Sequence, residues 1–214
     1  MTKCNIIIDD YKVIHDCVHG YIHLSNMIVA VIDSKEFQRL RKLKQLGTCY
    51  YVFQNAVHTR FEHSIGTSFL AGKIMERIVS TIRPSEITKY ISQIPELVDY
   101  YTQTYDGKIE CIDKYIIELV KIAALCHDLG HGPFSHVFDD YLEEQTQHKN
   151  RKHEIRSCIL LEKIISENNF LSSIITKNEL QFMKNLINPE LQHVGFIYQI
   201  VSNNFNGLDV DKYD

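Results

Sequence analysis

Three stretches of the chain carry an apolar stripe at helical spacing with a histidine at one end. His63, Thr67, Leu70, Ile74 and Ile78 fall at offsets of 0, 4, 7, 11 and 15, which is one face of a 3.6-residue period. Thr59-Arg60-Phe61-Glu62 has the spacing of a capping box, so a helix is predicted to start at Arg60 with His63 in its first turn. Ile116, Val120, Ala123 and His127 recur at 0, 4, 7 and 11, in a helix that Asp113 caps and that Gly130, Gly132 and Pro133 end. His153, Ser157, Leu160 and Ile164 repeat the same offsets in a helix predicted from Asn150.

The remaining pattern fills in a mainly helical chain. Lys12 to Leu24 is β-branched and interrupted by Gly20, which reads as a strand or hairpin. His15, His19 and His23 are spaced by four there, but no helix is expected, so they read as ordinary polar positions. Ser34 caps a predicted helix whose buried face is Phe37, Leu40 and Leu43. Gly47 to Val57 is a tyrosine-rich loop, and Pro84 to Gly107 reads as a polar connecting helix or insertion to which no chemistry is assigned. A short helix is expected over Ser135 to Leu142, a polar stretch over Glu143 to Lys152, and helices over Lys177 to Ile187 and Pro189 to Val201. A turn from Ser202 to Gly207 follows. The expectation is an all-α domain of seven or eight helices with a short N-terminal hairpin, without repeats or linkers.

Composition narrows the chemistry. A 214-residue chain with 44% hydrophobic content can bury a continuous core. Net charge is −4, so no global positive field draws it to nucleic acid or an anionic membrane; the basic residues between Arg39 and Lys44 are a local cluster, and a nucleic-acid partner is not expected. Any phosphate affinity must be local. The six cysteines include no C-x-x-C pair and read as buried, reduced thiols. No apolar run reaches membrane-spanning length and the N-terminal isoleucines are too few for a signal peptide; a soluble, intracellular protein is expected. The 11 histidines, in contrast, gather at particular segments.

A lone histidine on an apolar stripe is most often a core residue bonded to a neighbour. Here His127 is followed by Asp128, then by His131 and His136, around a helix end broken by glycine. A divalent metal needs N and O donors converging at about 2.0 to 2.3 Å on rigid elements. His127 and Asp128 can both turn to one ion where the chain leaves the helix. His63 offers a third ligand, and the Asp209-Val210-Asp211 turn a carboxylate.

The order H…HD…D is that of the HD superfamily. Longer phrases narrow the likeness: Phe37-Gln38-Arg39-Leu40-Arg41, Lys44-Gln45-Leu46-Gly47, Tyr50-Tyr51-Val52-Phe53, His58-Thr59-Arg60-Phe61-Glu62-His63-Ser64, the run from His127 to His136, and Asn206-Gly207-Leu208-Asp209-Val210-Asp211-Lys212. From about Lys12 onward the chain resembles the catalytic domain of deoxynucleoside triphosphate (dNTP) triphosphohydrolases, above all the eukaryotic members in which an HD domain follows a SAM domain.

The resemblance implies His63, His127, Asp128 and Asp211 as ligands of a divalent metal: iron, manganese, zinc or magnesium. It implies His153 as catalytic histidine, with His131, His136 and Asp139 as partners and Glu154 beside them. The implied reaction is attack of water on the α-phosphorus of a dNTP, giving deoxynucleoside and inorganic triphosphate, with His136 as acid to the departing 5′ oxygen. Arg60 and Lys212 would bind phosphate, Gln45 would read the sugar 3′-hydroxyl and Leu46 would lie against the sugar. Residues 1–24 form an N-terminal segment ahead of a metal-dependent phosphohydrolase domain over 25–214, and a guanine-nucleotide activator would contact Lys12, Val13, Asp33, Gln38 and Arg41. Assembly into a homo-oligomer is also implied. His15 and Cys17 depart from the family's asparagine and proline, and the sequence stops before the family's C-terminal part. Two alternatives remain: an HD phosphohydrolase of other nucleotides, and a nucleotide- or metal-binding module inactive for want of that part.

Overall fold

The computed structural model describes residues 3–108, 111–145 and 152–214. Among these the only sheet is an antiparallel hairpin of β1 (Lys12–Asp16) and β2 (Gly20–Leu24), in register from Lys12 opposite Leu24 to Asp16 opposite Gly20. Gly20 takes φ +75°, which a side chain would resist, and Asp16 Oδ1 accepts from the amides of Val18 and His19, both at 2.8 Å. The hairpin buries Ile22 and Leu24 in the same core as Ile7 and Phe37, while Val13 and Tyr21 stay exposed.

Helix α1 (Asn26–Ile32), capped by Ser25, has no counterpart in the sequence reading. Met27, Ile28, Val29, Val31 and Ile32 are all buried, and a helix enclosed on every side shows no polar face from which a period can be read. Ser34 caps α2 (Lys35–Gln38) as expected, but the chain then tightens into a 3₁₀ turn over Arg39–Lys42. Phe37 and Leu40 are fully buried and Leu43 half-buried.

The centre of the molecule is the pair α3 (Arg60–Thr81) and α6 (Lys114–Cys126). Both halves of the Thr59–Glu62 capping box form, so α3 starts where predicted. Its face towards α6 carries Ser64, Ser68, Ala71 and Met75, whereas Leu70, Ile74 and Ile78 of the predicted stripe are only half-buried. Small side chains let the two backbones approach: Ser68 Oγ donates to Lys121 O at 2.9 Å and Thr67 Oγ1 to Ala124 O at 3.2 Å. Asp113 caps α6, which ends at Cys126 with His127 as C-cap, ahead of the glycines.

Between them, the expected connecting segment forms two helices, α4 (Pro84–Ile91) and α5 (Pro95–Tyr105), each with proline in its first turn. The chain continues through α7 (His136–Gln145), α8 (His153–Glu167), α9 (Asn169–Ile174), α10 (Lys177–Ile187), α11 (Tyr198–Val201) and α12 (Val210–Tyr213). The predicted helix start at Asn150 lies outside the described residues. The helix predicted from Pro189 to Val201 shrinks to its last four residues, because Gly195 at φ +122° packs against the Tyr90 ring and interrupts the period. The fold is all-α with an N-terminal hairpin, as expected, with twelve α-helices among the described residues. No described helix is long and apolar enough to cross a membrane. Cys126 is buried, but Cys17, Cys49 and Cys111 are exposed, against the expectation of buried thiols.

Candidate functional site

The first turn of α3 and the last of α6 bring the His63 and His127 rings to 5.4 Å, edge to face. Asp211 on α12 places Oδ1 3.0 Å from His63 Nε2 and 3.5 Å from His127 Nε2. His127 Nδ1 donates to Ala124 O at 2.7 Å, which leaves the lone pair on Nε2. That Nε2 is buried without a hydrogen-bond partner, a costly arrangement unless something pairs with it. The three donor atoms lie within 4.8 Å of one another. The orphaned nitrogen and the two-nitrogen, one-carboxylate donor set fit a divalent cation.

Asp128 adjoins this group. Its Oδ1 is 3.4 Å from His127 Nε2 and 3.3 Å from His131 Nε2, and its Oδ2 is 3.6 Å from His63 Nε2 while pairing with the Arg60 guanidinium. Burial alone would favour neutral His63, but Asp211, Asp214 and Asp128 outweigh it and raise its pKa to about 9. His127 is likewise raised against burial, chiefly by Asp128. In return His127 and His63 hold the Asp211 carboxyl far below the ordinary carboxylate range. Asp128, although burial resists its charge, is kept low by His127, His131 and Arg60.

A second histidine group lies above the first. His131 and His153 stack at 3.8 Å, and His136 meets them edge-on at 5.2 and 5.4 Å. His153 is the first residue of α8 and lines the pocket, and its Nδ1 is 2.9 Å from Asp139 Oδ2. Asp139 also pairs with Arg156; those two partners lower its pKa against the effect of burial. Burial pushes His131 down to about 4, so it is neutral at pH 7. The N-terminus of α8 is docked onto the exit of α6. Ser157 Oγ donates to His127 O at 2.5 Å and accepts from Gly130 N at 2.8 Å, and Arg156 Nε donates to Gly130 O at 2.8 Å. A Cβ on Gly130 would stand 2.1 Å from His153 O, so only glycine allows this approach.

Arg60 also donates to Ser135 Oγ at 2.6 Å. Ser135 and Phe134 hold left-handed backbone, φ 56° and 64°, strain of the kind found where a loop must aim a side chain. Gln45 N donates to His58 O at 3.1 Å, and its Oε1 is buried without a partner. Leu46 and Lys212 are exposed, with Lys212 Nζ 3.4 Å from Asp211 Oδ2. One cavity of about 480 Å³ is lined by Gln45, Leu46, Arg60, His127, Asp128, His131, His136, His153, Glu154, Asp211 and Lys212, a size typical of small-molecule sites. His63 and Asp139 support its wall from behind. A larger cavity of about 780 Å³, between residues 189 and 205, contains none of these residues.

The residues expected to bind an activator are less well gathered. Lys12 and Arg41 line a cavity of about 300 Å³, whereas Asp33 lines a different one beside Glu36 and Glu167. Val13 is exposed on the hairpin. Gln38 spends its amide internally, donating to Ile32 O and accepting from Arg41 Nε, both at 2.8 Å.

Several residues hold the site through contacts that no sequence pattern displays. Arg39 donates to the carbonyls of His131 and Leu129 at 3.0 and 2.5 Å, and Arg156 and Ser157 fix α8. His19, read as an ordinary polar position, is instead 2.6 Å from Asp214 Oδ1, and Asp214 Oδ2 is 2.9 Å from His63 Nδ1. No local pattern links residues so far apart in the chain.

Residues 60–200 match the HD domain family. The chain is 47% identical over 206 residues to a putative HD domain-containing protein of Acanthamoeba polyphaga mimivirus, covering 96% of this chain and 42% of that protein. It is 38% identical over 205 residues to the deoxynucleoside triphosphate triphosphohydrolase SAMHD1 homolog of Dictyostelium discoideum, covering 95% and 35%. To the deoxynucleoside triphosphate triphosphohydrolase SAMHD1 of Homo sapiens it is 36% identical over 230 residues, covering 98% and 33%. It therefore spans well under half the length of these relatives. The matched span opens at Arg60, on the first turn that delivers His63, and takes in the His127-Asp128 pair at the end of α6: the chain belongs to the HD domain family.

Proposed function

We propose that the chain hydrolyses dNTPs to deoxynucleoside and inorganic triphosphate in the 480 Å³ cavity. The observation that carries this reading is the orphaned His127 Nε2, facing the same space as His63 Nε2 and Asp211 Oδ1 on a pocket floor rich in histidine and carboxylate. The choice of dNTP rests on the likeness to relatives named for that activity.

In this reading His63, His127, Asp128 and Asp211 hold a divalent ion, which neutralises phosphate charge and lowers the pKa of water. Arg60 and Lys212 bind phosphate oxygens, the first with a planar fork and the second as a point charge. The Gln45 Oε1, buried and unpaired, accepts from the sugar 3′-hydroxyl, and Leu46 covers the sugar face. His136, on the open side of the pocket, donates a proton to the departing 5′ oxygen. His153, oriented by Asp139, and neutral His131 organise the proton path behind it. The proposal includes guanine-nucleotide activation and homo-oligomer assembly; Lys12 and Arg41 line one cavity, which supports the former, whereas Asp33 lines another.

The test is incubation of the metal-loaded chain with each dNTP, followed by separation of products. Triphosphate plus deoxynucleoside is the expected result. Stepwise release of phosphate would assign the site to another HD phosphohydrolase reaction, and absence of any product would leave a binding module.

A further inference from the structure

The hairpin turn reaches the floor of the pocket through one carboxylate. His19 Nε2 is 2.6 Å from Asp214 Oδ1, and Asp214 Oδ2 is 2.9 Å from His63 Nδ1, so both Asp214 oxygens are engaged. All three side chains are sequestered: His19 is 11% exposed, Asp214 9% and His63 6%. His19 also packs on Phe69, which follows His63 on α3, with ring centroids 5.1 Å apart. Its own turn is fixed by Asp16 Oδ1, which accepts from the His19 amide. Gly66 makes room for the carboxylate: a Cβ there would stand 1.9 Å from Asp214 Oδ1.

We infer that Asp214, braced by His19 and admitted by Gly66, is a positioning residue that fixes the ring orientation and tautomer of His63. The physical reason is specific. An imidazole binds a metal through an unprotonated nitrogen, and a carboxylate accepting from Nδ1–H keeps the proton there and the lone pair on Nε2. Nε2 is the atom that meets Asp211, 3.0 Å from its Oδ1. Without the brace the ring can rotate or exchange tautomers, and Nε2 loses its fixed aim. The inference rests on the reading of His63 as a metal ligand, but part of its test does not need the metal.

The experiment compares wild type with Asp214→Ala, His19→Ala and Gly66→Ala. Metal affinity is measured by competition of manganese or zinc with a chromophoric chelator, and the His63 tautomer by ¹⁵N shifts of the imidazole in metal-free protein at alkaline pH, where the ring is neutral. Asp214→Ala should weaken metal binding by about 10- to 100-fold and move protonation from Nδ1 towards a mixture. Gly66→Ala should do the same, although it removes neither carboxylate nor ligand. His19→Ala should have a smaller effect, since Asp214 still reaches His63. In a His63→Ala background, Asp214→Ala should cost nothing further. Unchanged affinity and tautomer in both Asp214→Ala and Gly66→Ala would overturn the inference, as would a fall in melting temperature alone. If wild type binds no metal, the reading of the site fails, while the tautomer measurement still decides the brace.

Discussion

His127 and His136 stand close in sequence and belong to opposite kinds of structure. His127 caps the central helix, buried, with one ring nitrogen tied to its own helix and its backbone carbonyl held by Ser157. His136 begins α7 after two residues of left-handed backbone, and its side chain is 76% exposed. The same contrast divides the whole pocket. Its floor is built at the ends of the packed helices α3 and α6, where Asp214, Ala124 O and Arg60 hold His63, His127 and Asp128 from behind, and the four-residue α12 adds Asp211. Its rim, with Leu46, His136 and Lys212, is exposed. A metal site demands donors held in place before the ion arrives, and packed helix ends supply that. Groups that meet a substrate as it enters and leaves can instead sit on the surface with few neighbours.

The largest effect should come from breaking the floor. His127→Ala with Asp128→Ala is expected to abolish stoichiometric metal, while His136→Ala keeps it and loses about 10²- to 10⁴-fold in turnover, the usual contribution of a proton-transfer group. Metal analysis alongside product assays checks this; equal metal content in the double variant and wild type would refute the floor assignment. A second difference should appear with pH. His63, raised to about 9, is protonated below that value, and a proton and an ion compete for its Nε2. Apparent metal affinity should therefore rise with pH by up to about tenfold per unit and level off above about 9, with raised His127 steepening the slope. Chelator competition across this range would show a flat line if the two histidines were already neutral. The smallest effect tests how the floor is started: Thr59→Ala removes the capping box of α3 and should cost about 1 kcal/mol in denaturant unfolding, with metal stoichiometry retained.

Floor and rim also differ in how legible they were. The start of α3 at Arg60 followed from Thr59 and Glu62, and the cap of α6 from Asp113, because caps are contacts between residues three apart. The Ser157 position on the α8 stripe was visible, but not that its hydroxyl ties α8 to His127 and Gly130. Helix α1 was missed because it is buried all round, and the reading of 189–201 as helix failed at Gly195. On α3 the period placed the buried face one step aside, since it weighs large apolar residues, whereas the contact with α6 uses Ser64, Ser68 and Ala71.

By itself the sequence determined the mainly helical class, the points where the central helices begin, and the histidines that end their apolar stripes. Capping and periodicity act over a few residues, so the sequence displays them directly. Only the tertiary structure decided that Asp211 closes on His63 and His127, that Asp33 lines a different cavity from Lys12 and Arg41, and that His19 on the hairpin reaches Asp214. The contacts of Asp211 and Asp214 join residues 84 to 195 positions apart, and no local preference encodes them; they exist because packing one core brings the hairpin, α3, α6 and α12 to the same place.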